Sequence, residues 1–135
     1  MAESPKQLMK RAVSLAEAGN KALLMGQFTE ALSFFNRSAS LLRGPVLCRE
    51  PMSQVILAML ATNQGICLHR LGHIHDALAV YDQVLALYRR PHLASRRDLD
   101  AARARLVTNR GLLLSELDRL DDALASYDEA QALHR

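Results

Sequence analysis

Alanine and an aromatic residue stand four positions apart three times in this chain, at Ala31 and Phe35, Ala77 and Tyr81, and Ala123 and Tyr127. That spacing puts each pair on one face of an α-helix. β-Branched runs are absent and turn residues are few, which sets aside a β-sandwich or a parallel α/β sheet. The breaks in the apolar pattern predict six helices, near residues 5–25, 28–43, 52–71, 74–89, 95–117 and 121–134. Gly44-Pro45 and Arg90-Pro91 close the second and fourth, because proline lacks a donor and restricts the residue before it. Thr29, His75-Asp76 and Asp121-Asp122 place side-chain oxygens and negative charge where helix N-termini favour them.

The six helices form three similar pairs. Gly19, Gly65 and Gly111 fall 46 residues apart, and the same step relates Ala31, Ala77 and Ala123, then Leu32, Leu78 and Leu124, then Phe35, Tyr81 and Tyr127. Within each pair a small residue in the first helix allows close approach of a neighbour. A turn follows at Gly26-Gln27, Gly72-His73 or Asp118-Arg119. Three such units account for almost all of the 135 residues, as repeats at approximately 5–43, 52–89 and 95–134 of a single domain spanning 1–135.

Composition agrees with helices and narrows the class. Leucine and alanine, both strong helix formers, number 25 and 20. Half of the chain is hydrophobic and 23% is charged, a globular balance. The longest apolar stretch, Val55 to Ala61, is too short to cross a bilayer, and the N-terminus has no signal-like apolar region. A soluble, cytoplasmic protein is expected. Cys48 and Cys67 lack metal-ligand spacing and read as reduced thiols, with Cys67 packed as a small apolar residue.

The repeated columns resemble the tetratricopeptide repeat: a small residue within the first helix, glycine before the turn, then alanine and an aromatic in the second. The matching residues are Gly19, Gly26, Ala31 and Phe35; Gly65, Gly72, Ala77 and Tyr81; and Gly111, Ala123, Tyr127 and Ala130. Leu15, Ala61 and Val107 replace the family's aromatic near the start of the first helix, and Asp118 replaces the turn glycine. The family period is about 34 residues, so this is a long-period variant with longer helices or inter-repeat loops. The resemblance implies an all-α, right-handed superhelix of three antiparallel helical hairpins, an α-solenoid whose first helices line a concave groove.

The resemblance also implies a protein–protein interaction scaffold that holds a peptide or helix of a partner in that groove. Its expected lining is Val13, Ala16, Asn20, Leu23 and Leu24; Met59, Thr62, Asn63, Ile66, His69 and Arg70; and Arg105, Thr108, Asn109, Leu112, Ser115 and Glu116. Asn20, Asn63, Asn109, Ile66, His69, Arg70, Arg105 and Leu112 are the candidate peptide contacts. Asn63 and Asn109 share a column that is often an asparagine ladder in peptide-binding members. An asparagine amide can donate and accept, so it can grip an extended backbone without reading side chains; bonding to its own helix or to the adjacent hairpin is the competing use. Asn20, Asn63 and Arg105 also match three of the five places of the family's carboxylate clamp. Ala16 and Asn109 stand where that clamp has basic residues, so a complete clamp is not expected.

Other chemistry is thinner. Arg89, Arg90, Arg96 and Arg97, followed by Arg103 and Arg105, could dock an acidic peptide or phosphate. Asp98 and Asp100 lie beside them and aromatic stacking partners are lacking, so nucleic acid is not an expected partner. His69, His73 and His75 lack further ligands at metal-binding spacing and read as solvated turn residues. No phosphate-cradling loop, nucleophile elbow or paired carboxylates stand out, so neither an enzyme nor a cofactor is expected. The alternative function is structural: self-association through terminal repeat faces, a fragment of a larger regulatory protein, or an engineered repeat. A homo-oligomer through the last hairpin is expected on this reading, because Leu124 and Leu133 have no following hairpin to cover them.

Overall fold

The computed structural model describes residues 3–133. Its helices are α1 (Pro5–Leu24), α2 (Phe28–Arg43), α3 (Pro51–Arg70), α4 (Ile74–Tyr88), the single-turn α5 (Pro91–Ala94), α6 (Asp100–Glu116) and α7 (Leu120–Leu133), with a 3-10 turn at Arg97–Leu99. Among the described residues there is no strand. Helices α1 and α2, α3 and α4, and α6 and α7 pair as hairpins, and α2 packs on α3 and α4 on α6, so the hairpins stack in chain order as an all-α solenoid. The predicted end of the last helix at 134 lies outside the described residues.

Local chemistry explains where these helices start and turn. Ser4 caps α1: its Oγ accepts from the Gln7 backbone N–H while the Gln7 side chain accepts from the Ser4 N–H, and Pro5 fills the first helical position. Each hairpin turn carries one residue in the left-handed region, Gly26 (φ 75°), Gly72 (φ 88°) and Asp118 (φ 57°). The same closing bonds recur in all three. Backbone N–H groups of Gln27, His73 and Arg119 donate to the carbonyls of Ala22, Leu68 and Leu114 at 2.9, 2.8 and 2.8 Å. Aspartate tolerates this conformation better than most residues, which is why Asp118 can replace the turn glycine. Contrary to the side-chain capping expected for α2 and α4, their N-cap residues are Gln27 and His73, and neither makes a side-chain cap bond. Glu30 and Asp76 still lie in the first turns, where they complement the helix dipole.

Inside each hairpin the recurrent glycine lies directly against the recurrent aromatic, nearest its Cδ1, Cε1 and Cζ atoms. Phe35 and Tyr81 are fully buried over Gly19 and Gly65, and Tyr127 is half-buried over Gly111. The core lies in two buried clusters: one joins the first hairpin to the near side of α3, the other joins α4 to the last hairpin. Ser38 crosses within the first hairpin, donating to the Ala12 carbonyl at 2.7 Å.

The third first-helix departs most from expectation. It begins at Asp100 rather than near 95, because the segment before it folds around Arg103. That side chain is buried, donates to the carbonyls of Arg96 (2.9 Å) and Leu93, and pairs with Asp100 at 2.6 Å. Its guanidinium also lies 5.6 Å from the Tyr88 ring centroid. The basic segment is therefore partly internal structure. Arg96 pairs with Asp98 at 2.7 Å and Arg89 with Glu129 at 3.6 Å.

Candidate peptide-binding groove

The first helices α1, α3 and α6 line two adjoining hollows that share Arg105. The first, about 290 Å³, is bounded by Asn20, Leu23, Leu24, Met59, Thr62, Asn63, Tyr88, Ala102 and Arg105. The second, about 620 Å³, is bounded by Ile66, His69, Arg70, Tyr81, Arg105, Asn109, Leu112 and Glu116. All eight candidate contacts thus line one or the other. Leu24, Met59 and Leu112 are exposed apolar side chains along this surface, Leu24 being 88% accessible.

Asn63 is the polar centre of the first hollow. Its Nδ2 donates to Asn20 Oδ1 at 2.9 Å, and its Oδ1 accepts from Arg105 Nη2 at 3.1 Å. One side chain from each of three hairpins is therefore joined in a single chain of hydrogen bonds. For Asn63 this is the adjacent-hairpin use of its amide. One Nδ2 proton, the second Asn20 valences and the remaining Arg105 donors stay available to a ligand. Thr62 does not contribute a free hydroxyl, since its Oγ1 donates to Ala58 of its own helix at 3.0 Å.

In the second hollow His69 Nε2 and Glu116 Oε2 meet at 2.8 Å, bridging α3 and α6. His69 is thus a groove residue with a fixed partner, not the solvated turn histidine expected of the cluster; His73 and His75 are exposed. Asn109 lies in this second hollow with Leu112, whereas Asn63 lies in the first. Among the described residues no group of three or more His, Cys, Asp or Glu side chains is placed to hold a metal ion.

Three groove residues escaped the sequence reading, Ala102 and two tyrosines. Tyr81 and Tyr88 rise from second helices to flank Arg105, and their buried hydroxyls have no hydrogen-bond partner among the described residues. Burial pushes both phenols above their ordinary ionisation range, with the nearby arginines opposing it. An unmade hydrogen bond at a buried hydroxyl costs about 1–3 kcal/mol. Only the ring of Tyr81 was legible, as a packing residue of the repeat.

No protein-family model matches the sequence, and no curated protein matches it. Solved structures do. The first TPR of Spaghetti (RPAP3), bound to the HSP90 peptide SRMEEVD, is 22% identical, with 92% of this chain and 79% of that chain covered at a TM-score of 0.67. The TPR domain of Arabidopsis FLU is 21% identical, with 95% of each chain covered and a TM-score of 0.73. At these identities the likeness establishes the fold, which is that of tetratricopeptide domains. Among the described residues no helix is long and apolar enough to cross a membrane.

Proposed function

We propose that this chain is a protein–protein interaction module, a single long-period tetratricopeptide-type array that holds an extended segment of another protein in its concave groove. The observation that carries the reading is the hydrogen-bonded chain Asn20–Asn63–Arg105 on the groove floor, beside exposed Leu24 and Met59. It offers donors and acceptors to a peptide backbone and apolar contact to its side chains. One structural neighbour holds an HSP90 peptide, which supports a peptide as the ligand class. Ala16 and Asn109 supply no cation, so an acidic terminus would meet Arg105 without the full set of charges. Recognition then rests on shape, backbone bonding and charge-assisted contacts from Arg105 and Arg70. The free thiols of Cys48 and Cys67 fit a reducing, intracellular compartment.

The test is capture of partners by the full chain with mass-spectrometric identification, followed by titration of the captured segment. Asn63→Ala with Asn109→Ala is expected to weaken binding more than about tenfold, the equivalent of one to two hydrogen bonds, with circular dichroism unchanged. Arg105→Ala is expected to match that loss. Unchanged affinity in both variants would remove the groove from the binding reaction.

A further inference from the structure

The outward face of α7 repeats the faces that α2 and α4 use to hold the next hairpin, and nothing among the described residues covers it. In the column of Leu32, Leu78 and Leu124, the first is half-buried, the second 8% exposed and the third 61% exposed. In the column of Phe28, Ile74 and Leu120, the first two are half-buried and Leu120 is 61% exposed. A polar column runs beside them. Asn36 accepts from Gln64 of α3 at 2.7 Å, and Asp82 accepts from Arg110 of α6 at 2.6 Å. Asp128, the third member, is exposed and has no hydrogen-bonding side-chain partner among the described residues. In both internal interfaces the partner comes from the first helix of the following hairpin.

The opposite end of the stack carries the complementary charge. α3 packs on the first hairpin through Ile56, Leu57 and Cys67. The residues 46 positions earlier, on the free side of α1, are Lys10, Arg11 and Lys21, and all three are exposed. Over its length α1 has four cations and one carboxylate, Arg11 being paired with Glu3, whereas α7 has four carboxylates and no cation, Asp122 and Glu129 being paired with Arg119 and Arg89; Lys6, Lys10 and Lys21 face Asp121 and Asp128 as the unpaired excess among the described residues. Pairing α7 with α7 would oppose like charges. Pairing α7 with α1 of another molecule opposes unlike ones and preserves the stacking direction of the solenoid.

We infer that the α7 face is a docking site for α1 of a second copy of this chain, giving head-to-tail association independent of the groove. Leu120 and Leu124 then pack under Leu15 and the alkyl stems of Lys10 and Arg11, which cover apolar surface while their charges stay wet. Ala18 stands where Gln64 and Arg110 stand in the internal interfaces, so Asp128 is met instead by Lys21, about one helical turn further along α1. Such a contact is heterologous and leaves a free face at each end, so assembly continues beyond the dimer.

Sedimentation of the full chain from micromolar to millimolar concentration tests this. The average mass is expected to rise above 15.0 kDa with concentration, and the dissociation constant to increase at least about tenfold between roughly 0.05 and 0.5 M salt as the charges are screened. Lys10→Glu with Lys21→Glu disables one face, and Leu124→Ser with Asp128→Lys the other. Each variant alone should be monomeric, and their equimolar mixture should form a species of two chains that grows no further. Asp128→Lys alone, which keeps both leucines, should weaken association in the same direction. A wild-type chain that stays monomeric at millimolar concentration and low salt overturns the proposal. So does self-association of the α1 variant, which would mean pairing of α7 with itself, or a covering partner that competes with no second copy.

Discussion

Replacing each recurrent glycine by alanine should produce two outcomes, decided by how far its aromatic partner can retreat. A Cβ on Gly19 would stand 2.5 Å from Cε1 of Phe35, and one on Gly111 would stand 2.8 Å from Cε1 of Tyr127; at Gly65 the approach to Tyr81 is tighter than either. Carbon atoms rest about 3.5–4.0 Å apart, so each ring must move by roughly an ångström. Phe35 and Tyr81 have no exposed surface into which to move, while Tyr127 is half-buried under the open face of α7. Overpacking of a closed core costs about 1–3 kcal/mol, whereas alanine gains about 1 kcal/mol over glycine in helix propensity. Gly65→Ala and Gly19→Ala should therefore destabilise by up to about 2 kcal/mol, and Gly111→Ala should lie near or below zero. Urea unfolding followed by helical ellipticity measures all three. Adding Phe35→Leu should reverse the sign of Gly19→Ala, because the ring is gone and the propensity gain remains. Equal stabilisation by all three alanines would refute the idea that close approach of the ring is what requires glycine.

Arg103→Ala should destabilise by about 1–3 kcal/mol, because the carbonyls of Leu93 and Arg96 lose their side-chain donor and keep only the backbone N–H groups of Arg96 and Leu99, and Asp100 loses its cation; thermal unfolding reads this, and a surface-like effect within about 0.5 kcal/mol would show that the arginine is dispensable. Stability should fall as pH rises above about 9, because burial pushes the Cys67 thiol up to about 11 in the folded chain, so the unfolded chain sheds that proton first and is favoured. The buried phenols of Tyr81 and Tyr88 act in the same direction at higher pH, and urea midpoints at pH 8 and 10.5 would check the sign. At neutral pH a thiol reagent should label exposed Cys48 quickly and Cys67 only on unfolding, since Cys67 is both buried and protonated; rapid labelling of both thiols in folded protein would contradict the packing of α3.

Period and chemistry together made the hairpins legible. The columns of Gly19, Ala31 and Phe35 specify a helix, a close approach and a turn, and each is local enough to be read without coordinates. The turn at Asp118 was legible as a departure, but its left-handed backbone shows why the departure is tolerated. The groove was legible as a set of positions and not as a network. Column arithmetic pairs Asn63 with Asn109, yet the structure bonds Asn63 to Asn20 and Arg105, which lie 43 and 42 residues away rather than 46. The offset of about one helical turn arises where neighbouring helices cross and their side chains lean along the axis, a geometry that repeat spacing does not encode.

The sequence by itself therefore determined the six hairpin helices and their pairing, though not the segment between α4 and α6, because they follow from short-range periodicity and from glycines whose neighbours recur at fixed distance. Only the tertiary structure decided what the polar residues do. Arg103, one of a run of arginines, became the buried anchor of the loop before α6. His69 became a bridge to Glu116, and Tyr81 and Tyr88 were placed beside Arg105 with idle hydroxyls. A polar side chain takes its role from partners that are distant in the chain and chosen by the stacking of hairpins.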